Sequence, residues 1–341
     1  MEFLLNLGLF SGKVLILVLA LGALMILLFS LILRARQAKP LLSVENLNEK
    51  FDLMAHAVKA NVLDSKEWKS EIKTRKKRQK AEKNDTPEKK RVFVLDFEGD
   101  IRASHVDNLR EEITALLMVA RPQQDEVVVR LESPGGMVQA YGLAAAQLLR
   151  VHQAGMELTI CVDKMAASGG YMMACTANRI VAAPFAIIGS IGVVAEFPNF
   201  HRLLKKHDVD YEELTAGEFK RTLTMFGEMT EKGRRKAHEQ IEETHSLFKV
   251  FVKEHRPQLQ LEQVATGEYW FGRRALELQL VDLLQTSDEY LFNQREKAQI
   301  YKVEIQARKK WSEKLAENIG SAVEKSLDRL LTKTQERSFP G

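Results

Sequence analysis

The sequence predicts an α/β fold preceded by a membrane-crossing helix. Short β-branched runs alternate with longer apolar-periodic stretches between residues 92 and 174, the pattern of layered strands and helices. Ahead of them, Val14 to Leu33 pass without a charge or a proline. At about 1.5 Å per residue this stretch spans a hydrocarbon core of about 30 Å.

The first element reads as a retained anchor. A signal-peptide core is only about 7–15 residues long and ends at a small-residue cleavage site. Here Arg34-Ala35-Arg36-Gln37 follows instead. A helix is expected over 43–68, where Leu47, Phe51, Met54 and Val58 recur at helical spacing. Such a stripe packs on the domain or on a copy of itself. Residues 69–91 hold eleven Lys/Arg against four Asp/Glu, in a chain whose net charge is +4. The basicity therefore belongs to this segment, which reads as a solvated linker. Beside an anchor it suits anionic headgroups better than nucleic acid, because no aromatic pattern accompanies it. The chain divides into an anchor at 1–40, a helical and basic linker at 41–91, a globular domain at 92–300 and an amphipathic tail at 301–341.

Within the domain, strands are expected at 92–97, 126–132 and 158–162, with helices at 106–119 and 138–153. Ser168 opens the next helix. Ile180 to Ala195 is apolar enough to pass for a second span, but Pro184, Gly189, Ser190 and Gly192 punctuate it. Buried strand and turn fit that punctuation better. Thr230 to Phe251 reads as a charged helix with Ile241, Leu247, Phe248 and Phe251 on one side, and Trp270 as a core residue. After Lys302, Trp311, Leu315, Ile319, Val323 and Leu327 make the tail amphipathic.

Two glycine-rich turns carry the chemistry. Ser168 has Ala166 and Ala167 before it and Gly169 and Gly170 after it. Small neighbours let a substrate backbone approach, and a helix N-terminus favours developing negative charge. The same pattern also fits a helix N-cap followed by glycines for close packing. Ser133-Pro134-Gly135-Gly136 joins the strand at 126–132 to the next helix. It is either an ordinary turn or a cradle of backbone donors.

Read together, these blocks resemble one family. Leu131 to Gly136, Val162 to Ala174, Gly189 to Val193 and Thr215 to Arg221 resemble the signal peptide peptidase (protease IV) family, in order and at similar spacing. The resemblance covers residues 90 to 295 and the anchor. It implies the Clp protease/crotonase fold, a spiral of ββα units, and a serine endopeptidase. It also implies that Ser168 is the nucleophile and Lys220, in the Gly217-Glu218-Phe219-Lys220 block, the general base. The oxyanion would be held by backbone N–H groups of Gly135, Gly136 and Gly169, and Ser190 is a candidate partner for the lysine amine. Family members assemble ring-like oligomers in which serine and lysine can come from adjacent subunits.

A lysine base must be neutral, whereas an exposed amine has a pKa of about 10.4. Phe219, Leu223, Met225 and Phe226 are expected to wall Lys220 off from water, which favours the neutral form. A Ser-His-Asp triad competes with this reading, but none of the eight His has a motif around it. Where the Clp protease subunit places its base histidine, this chain has Val193. Cys161 and Cys175 lie in apolar runs and read as buried thiols. No cofactor or metal is implied, because no phosphate loop or clustered ligand set is present. The expected partners are peptide or protein substrates, the membrane and further copies of the chain, with no nucleic acid. The resemblance places a single-pass protein in the bacterial inner membrane with a periplasmic catalytic domain. The basic residues after the span argue for the cytoplasmic side instead. Two alternatives remain, a catalytically silent membrane scaffold and a crotonase-like acyl-CoA enzyme.

Overall fold

The computed structural model of the chain describes residues 41–84 and 89–306, with five isolated positions ahead of them. The expected span at 14–33 and the tail from residue 307 onward lie outside the described residues. Among the described residues, no helix is long and apolar enough to cross a membrane.

The chain enters as strand β1 (Leu41–Asn46), and Asn46 then caps α1 (Leu47–Val62), its side chain accepting from the N–H groups of Asn48 and Glu49. At the next break, the Asp64 carboxylate accepts from the N–H groups of Lys66 and Glu67, and Glu67 accepts from the Asp64 N–H. That reciprocal cap starts α2 (Ser65–Asn84). The single helix expected over 43–68 is thus a strand and two helices, and α2 runs on into the basic segment. Leu47 is buried, and the Asn48 side chain donates to the Arg295 and Ala298 carbonyls and accepts from the Ile300 N–H. The start of the expected linker therefore packs with the sheet.

Strands β2 (Lys90–Glu98), β3 (Glu126–Glu132) and β4 (Glu157–Val162) and helices α3 (Val106–Leu117) and α4 (Val138–Gln153) stand where the sequence puts them. Strand β5 (Met165–Ala167) and helix α5 (Gly169–Ala174) follow. The apolar run at 180–195 supplies β6 (Arg179–Ala182), a turn and β7 (Ile187–Gly189), with Ile180, Val181, Ala186 and Ile188 fully buried. It is strand and turn, as its punctuation indicates. Helices α6 (His201–Lys206), α7 (Glu231–His255) and α8 (Leu261–Val264), strand β8 (Tyr269–Phe271), helix α9 (Gly272–Glu277), strand β9 (Leu283–Leu284), helix α10 (Ser287–Gln294) and strand β10 (Ala298–Gln306) complete the described chain. On α7, Phe248 is buried and Phe251 half-buried, but Leu247 faces outward.

The main sheet has the order β1-β10-β2-β3-β4-β6-β9, and its pairs from β10 to β9 are parallel. Parallel strands are covered on both faces and so read as continuous apolar runs. Phe93, Leu95 and Phe97 join one core with residues of α3, α4 and α5, while Val92 and Val94 join another with Leu47, Tyr290 and Leu291. A smaller sheet has the order β5-β7-β8. A parallel bridge between Ser133 and Ala166 ties the end of β3 to β5. That tie sets the two glycine-rich turns side by side. The protein is a mixed α/β structure built on one large sheet.

Candidate active site

Ser168 stands between β5 and α5 with φ 51° and ψ −117°. A non-glycine residue there carries strain of about 1–3 kcal/mol and persists only where its surroundings hold it. The hold is visible: the Ser168 N–H donates to the Gly189 carbonyl at 2.8 Å, and its carbonyl accepts from Met172 at 3.0 Å. Ser168 occupies the N-cap position, yet its side chain does not cap the helix. Among the described residues its hydroxyl has no hydrogen-bond partner, and the residue is half-buried. Helix α5 is only six residues long, so individual donors matter more here than a helix dipole.

The neighbouring turn is fixed by a buried hydroxyl relay. Ser133 is fully buried and sits 2.7 Å from the Tyr141 hydroxyl. Tyr141 donates to the Asp100 carbonyl at 2.8 Å, and a carbonyl can only accept. The Ser133 hydroxyl must therefore donate to Tyr141, which leaves its lone pairs for the Gly135 N–H at 3.1 Å. Burial pushes the Tyr141 phenol up, away from ionisation. The Tyr141 ring also lies under Gly169, where an added Cβ would come within 2.4 Å of it.

Gly135 has φ +87°, and a Cβ on it would stand 2.7 Å from the Ala167 carbonyl oxygen and 2.8 Å from the Ser168 Cβ. Only glycine meets both conditions. The structure thus brings Ser168, Gly135 and Gly169 together, with Gly136 next in the same turn. Their donors differ. The Gly135 N–H is engaged by Ser133, whereas the N–H groups of Gly136 and Gly169 have no acceptor among the described residues.

Lys220 is not brought to this group. It is exposed, its backbone N–H bonds to the Gly217 carbonyl, and its amine has no hydrogen bond to Ser168 or to any other described residue. The expected apolar wall is open in the single chain, with Phe219, Met225 and Phe226 all exposed. Lys220 belongs to an arm, residues 194–229, whose one helix is α6. The arm folds mainly on itself: Phe200 stacks on Phe226, and Asn199 holds the Thr224 and Gly227 carbonyls. Ser190 follows Gly189 with φ 52° and donates its N–H to the Glu268 carbonyl. Its side chain does not bond to Lys220.

Three supports were not visible in the sequence. Tyr141 and Asp100 complete the Ser133 relay, and His245 Nε2 lies 3.2 Å from the Ile191 carbonyl beside the Gly189 segment. That nitrogen faces an acceptor and therefore carries the proton. One signal was there to find: Tyr141 is the lone Phe, Tyr or Trp in an alanine-rich helix. Among the described residues no histidine bonds to Ser168, and no cluster of acid, His and Cys side chains could hold a metal. Both cysteines are buried, and burial pushes both thiols up. A cleft of about 590 Å³ lies between Glu98, Glu132, Pro134, Lys164 and Met165, and Ser168 does not line it.

Residues 2–148 match the description "Peptidase family S49 N-terminal", and residues 150–302 match "Peptidase family S49". A relative named probable protease SohB, from Haemophilus influenzae, is 48% identical over 310 residues, which is 87% of each chain. Another of that name, from Buchnera aphidicola of Acyrthosiphon pisum, is 54% identical over 68% of each chain. Among solved structures, a mutant of the 1510-N membrane-bound stomatin-specific protease in complex with a substrate peptide is 13% identical, with a TM-score of 0.42. It covers 68% of this chain and 99% of its own. With both halves matched and near-half identity over most of its length, the chain belongs to peptidase family S49 and is an enzyme that hydrolyses peptide bonds in peptide or protein substrates.

Proposed function

We propose that this peptidase works through a Ser168–Lys220 dyad assembled between copies of the chain, on a membrane-anchored ββα-spiral domain of the Clp/crotonase kind. The observation that carries the reading is the asymmetry of the site. Ser168 is held in a strained turn with a free hydroxyl and free backbone donors beside it. Lys220 waits on an exposed arm without a partner.

In the proposed reaction the neutral Lys220 amine takes the Ser168 proton as the oxygen attacks the scissile carbonyl. The N–H groups of Gly136 and Gly169 hold the oxyanion, and Gly135 shapes the turn instead of donating. The lysine then returns the proton to the leaving amine, and water hydrolyses the acyl-enzyme. A neighbouring copy that covers Lys220 with apolar surface supplies the desolvation the neutral amine requires. Ser190 remains a candidate partner for that amine.

The substrates that fit are extended apolar segments near the bilayer, such as signal-peptide remnants or unfolded stretches. Val14–Leu33 serves as the single anchor in a bacterial inner membrane, with the catalytic domain periplasmic. The peptidase domain expected over 92–300 runs on to the end of β10 at Gln306, and the remainder to 341 is the tail.

Purified full-length protein tests this, with cleavage of an unfolded protein substrate as the readout. Ser168→Ala and Lys220→Ala each abolish cleavage while remaining folded. Mixing the two dead variants restores part of the activity, because a mixed assembly pairs an intact serine with an intact lysine. Full activity in either single variant removes that residue from the mechanism, and no recovery on mixing places the dyad within one chain.

A further inference from the structure

The stripe that starts α1 does not end where its cover ends. Leu47 is buried in the sheet core, and Phe51 packs edge-on against Phe292 with ring centroids 6.0 Å apart. Met54, Val58 and Val62 continue the same helical face, because spacings of three and four residues return to one side. They are 60%, 63% and 74% exposed. Helix α2 touches α1 through His56 and Trp68 and through the Lys59–Glu71 ion pair. It leaves these three side chains uncovered.

Charge says what covers them. The twenty residues of α2 carry nine Lys/Arg and three Asp/Glu, and Lys66, Lys69 and Lys73 are exposed. A second copy of so basic a surface is a poor neighbour, whereas an anionic one is attracted. An apolar face beside a lysine-rich one is the composition of a segment lying at a membrane surface. Only seven residues separate Leu33, the end of the apolar stretch, from Leu41. At no more than about 3.6 Å per residue, they keep β1 within about 30 Å of that stretch.

We infer that the helix pair Leu47–Val62 and Ser65–Asn84 lies on an anionic lipid surface, with Met54, Val58 and Val62 at the acyl boundary and Lys66, Lys69 and Lys73 at the headgroups. This deepens the anchored reading and rests on it for proximity to a bilayer. It gives the protein a second lipid contact and limits how far the catalytic body can tilt from the membrane.

The test uses the full chain with an environment-sensitive fluorophore on Val58→Cys, since Cys161 and Cys175 are buried and do not compete for label. Ala60→Cys, exposed on the opposite side of α1, is the control. Protein is mixed with phosphatidylcholine vesicles, or with vesicles containing phosphatidylglycerol, and floated. The expected result is flotation with both, and a blue-shifted, brighter label at position 58 with the anionic vesicles alone. The position 60 label stays in water. About 1 M salt, where the Debye length is about 3 Å, reverses the shift without releasing the protein. Equal emission in the two vesicle types overturns the inference while leaving the anchor intact. A shift in detergent that grows with protein concentration assigns the stripe to a second copy, and also overturns it. Flotation with anionic vesicles only, together with the shift, upholds the helix pair and sinks the anchor. Flotation with neither sinks both.

Discussion

At Gly135 a single methyl group decides whether the site can form. Its φ of +87° is one that alanine resists, and the added Cβ would press on Ser168 and on the Gly169 nitrogen. Gly135→Ala should therefore cost about 1–3 kcal/mol in stability. If Gly169 holds the oxyanion as proposed, the larger effect is on catalysis, because the added Cβ would displace that donor. Loss of one such donor costs about 100-fold or more in kcat. Steady-state cleavage beside a denaturant titration separates the two effects. A variant that keeps kcat within a few-fold would mean that the turn does not set the donors. The sequence made a turn legible here but not its role, since the Gly135 N–H, expected to donate to the oxyanion, is engaged by Ser133. The Ser133–Tyr141–Asp100 relay behind it was hidden. Its bond from Tyr141 to Asp100 joins residues 41 positions apart, and no local pattern reports such a contact.

The β2–β3 pair shows how an element is locked at its open end. Asp125, just before β3, has a fully buried carboxylate that receives Arg91 and Arg121. Burial opposes its charge, but the hydrogen bonds from the two arginines win and hold the carboxyl well below the usual carboxylate range. A group whose pKa is lowered by folding contributes stability that is present above its unfolded pKa, about 3.9, and lost as pH falls toward its folded value. Asp125→Asn should cost about 3 kcal/mol at neutral pH, the low end for a broken buried pair, because the stranded arginines can reach water. The gap from wild type should close as the solution is acidified below about pH 4. Urea titrations at several pH values measure both, and a gap independent of pH would assign the effect to packing instead. Strand β10 was missed, its second half falling in the stretch read as tail, while β2, β3 and β4 were legible because parallel strands are apolar along their whole length. Strand β1 was not, because its neighbour β10 lies at the other end of the described chain and its short apolar run blends into the helical stripe that follows. Strands β5, β7 and β8 have three residues each, too few to show a period.

For the whole molecule, the arm at 194–229 is the part a single chain leaves unfinished. Leu214 is 97% exposed, and Leu203, Val209 and Phe219 are exposed with it. In the proposed assembly this apolar surface, on the segment that also carries Lys220, is where a second protein surface would seat. If that surface is a neighbouring copy, assembly and activity must fail together. Leu214→Glu changes a side chain that contributes almost nothing to the single chain's core, so its unfolding free energy should stay within about 0.5 kcal/mol of wild type. A charge in the contact should nevertheless shift sedimentation to a smaller species, and cleavage should fall at least tenfold at concentrations where wild type is saturated. Raising the concentration should recover part of the loss, which separates weakened association from damaged chemistry. Full activity from a monomeric Leu214→Glu variant would require Lys220 to reach Ser168 of its own chain. The arm would then be a lid that swings inward, and mixed dead variants would stay dead.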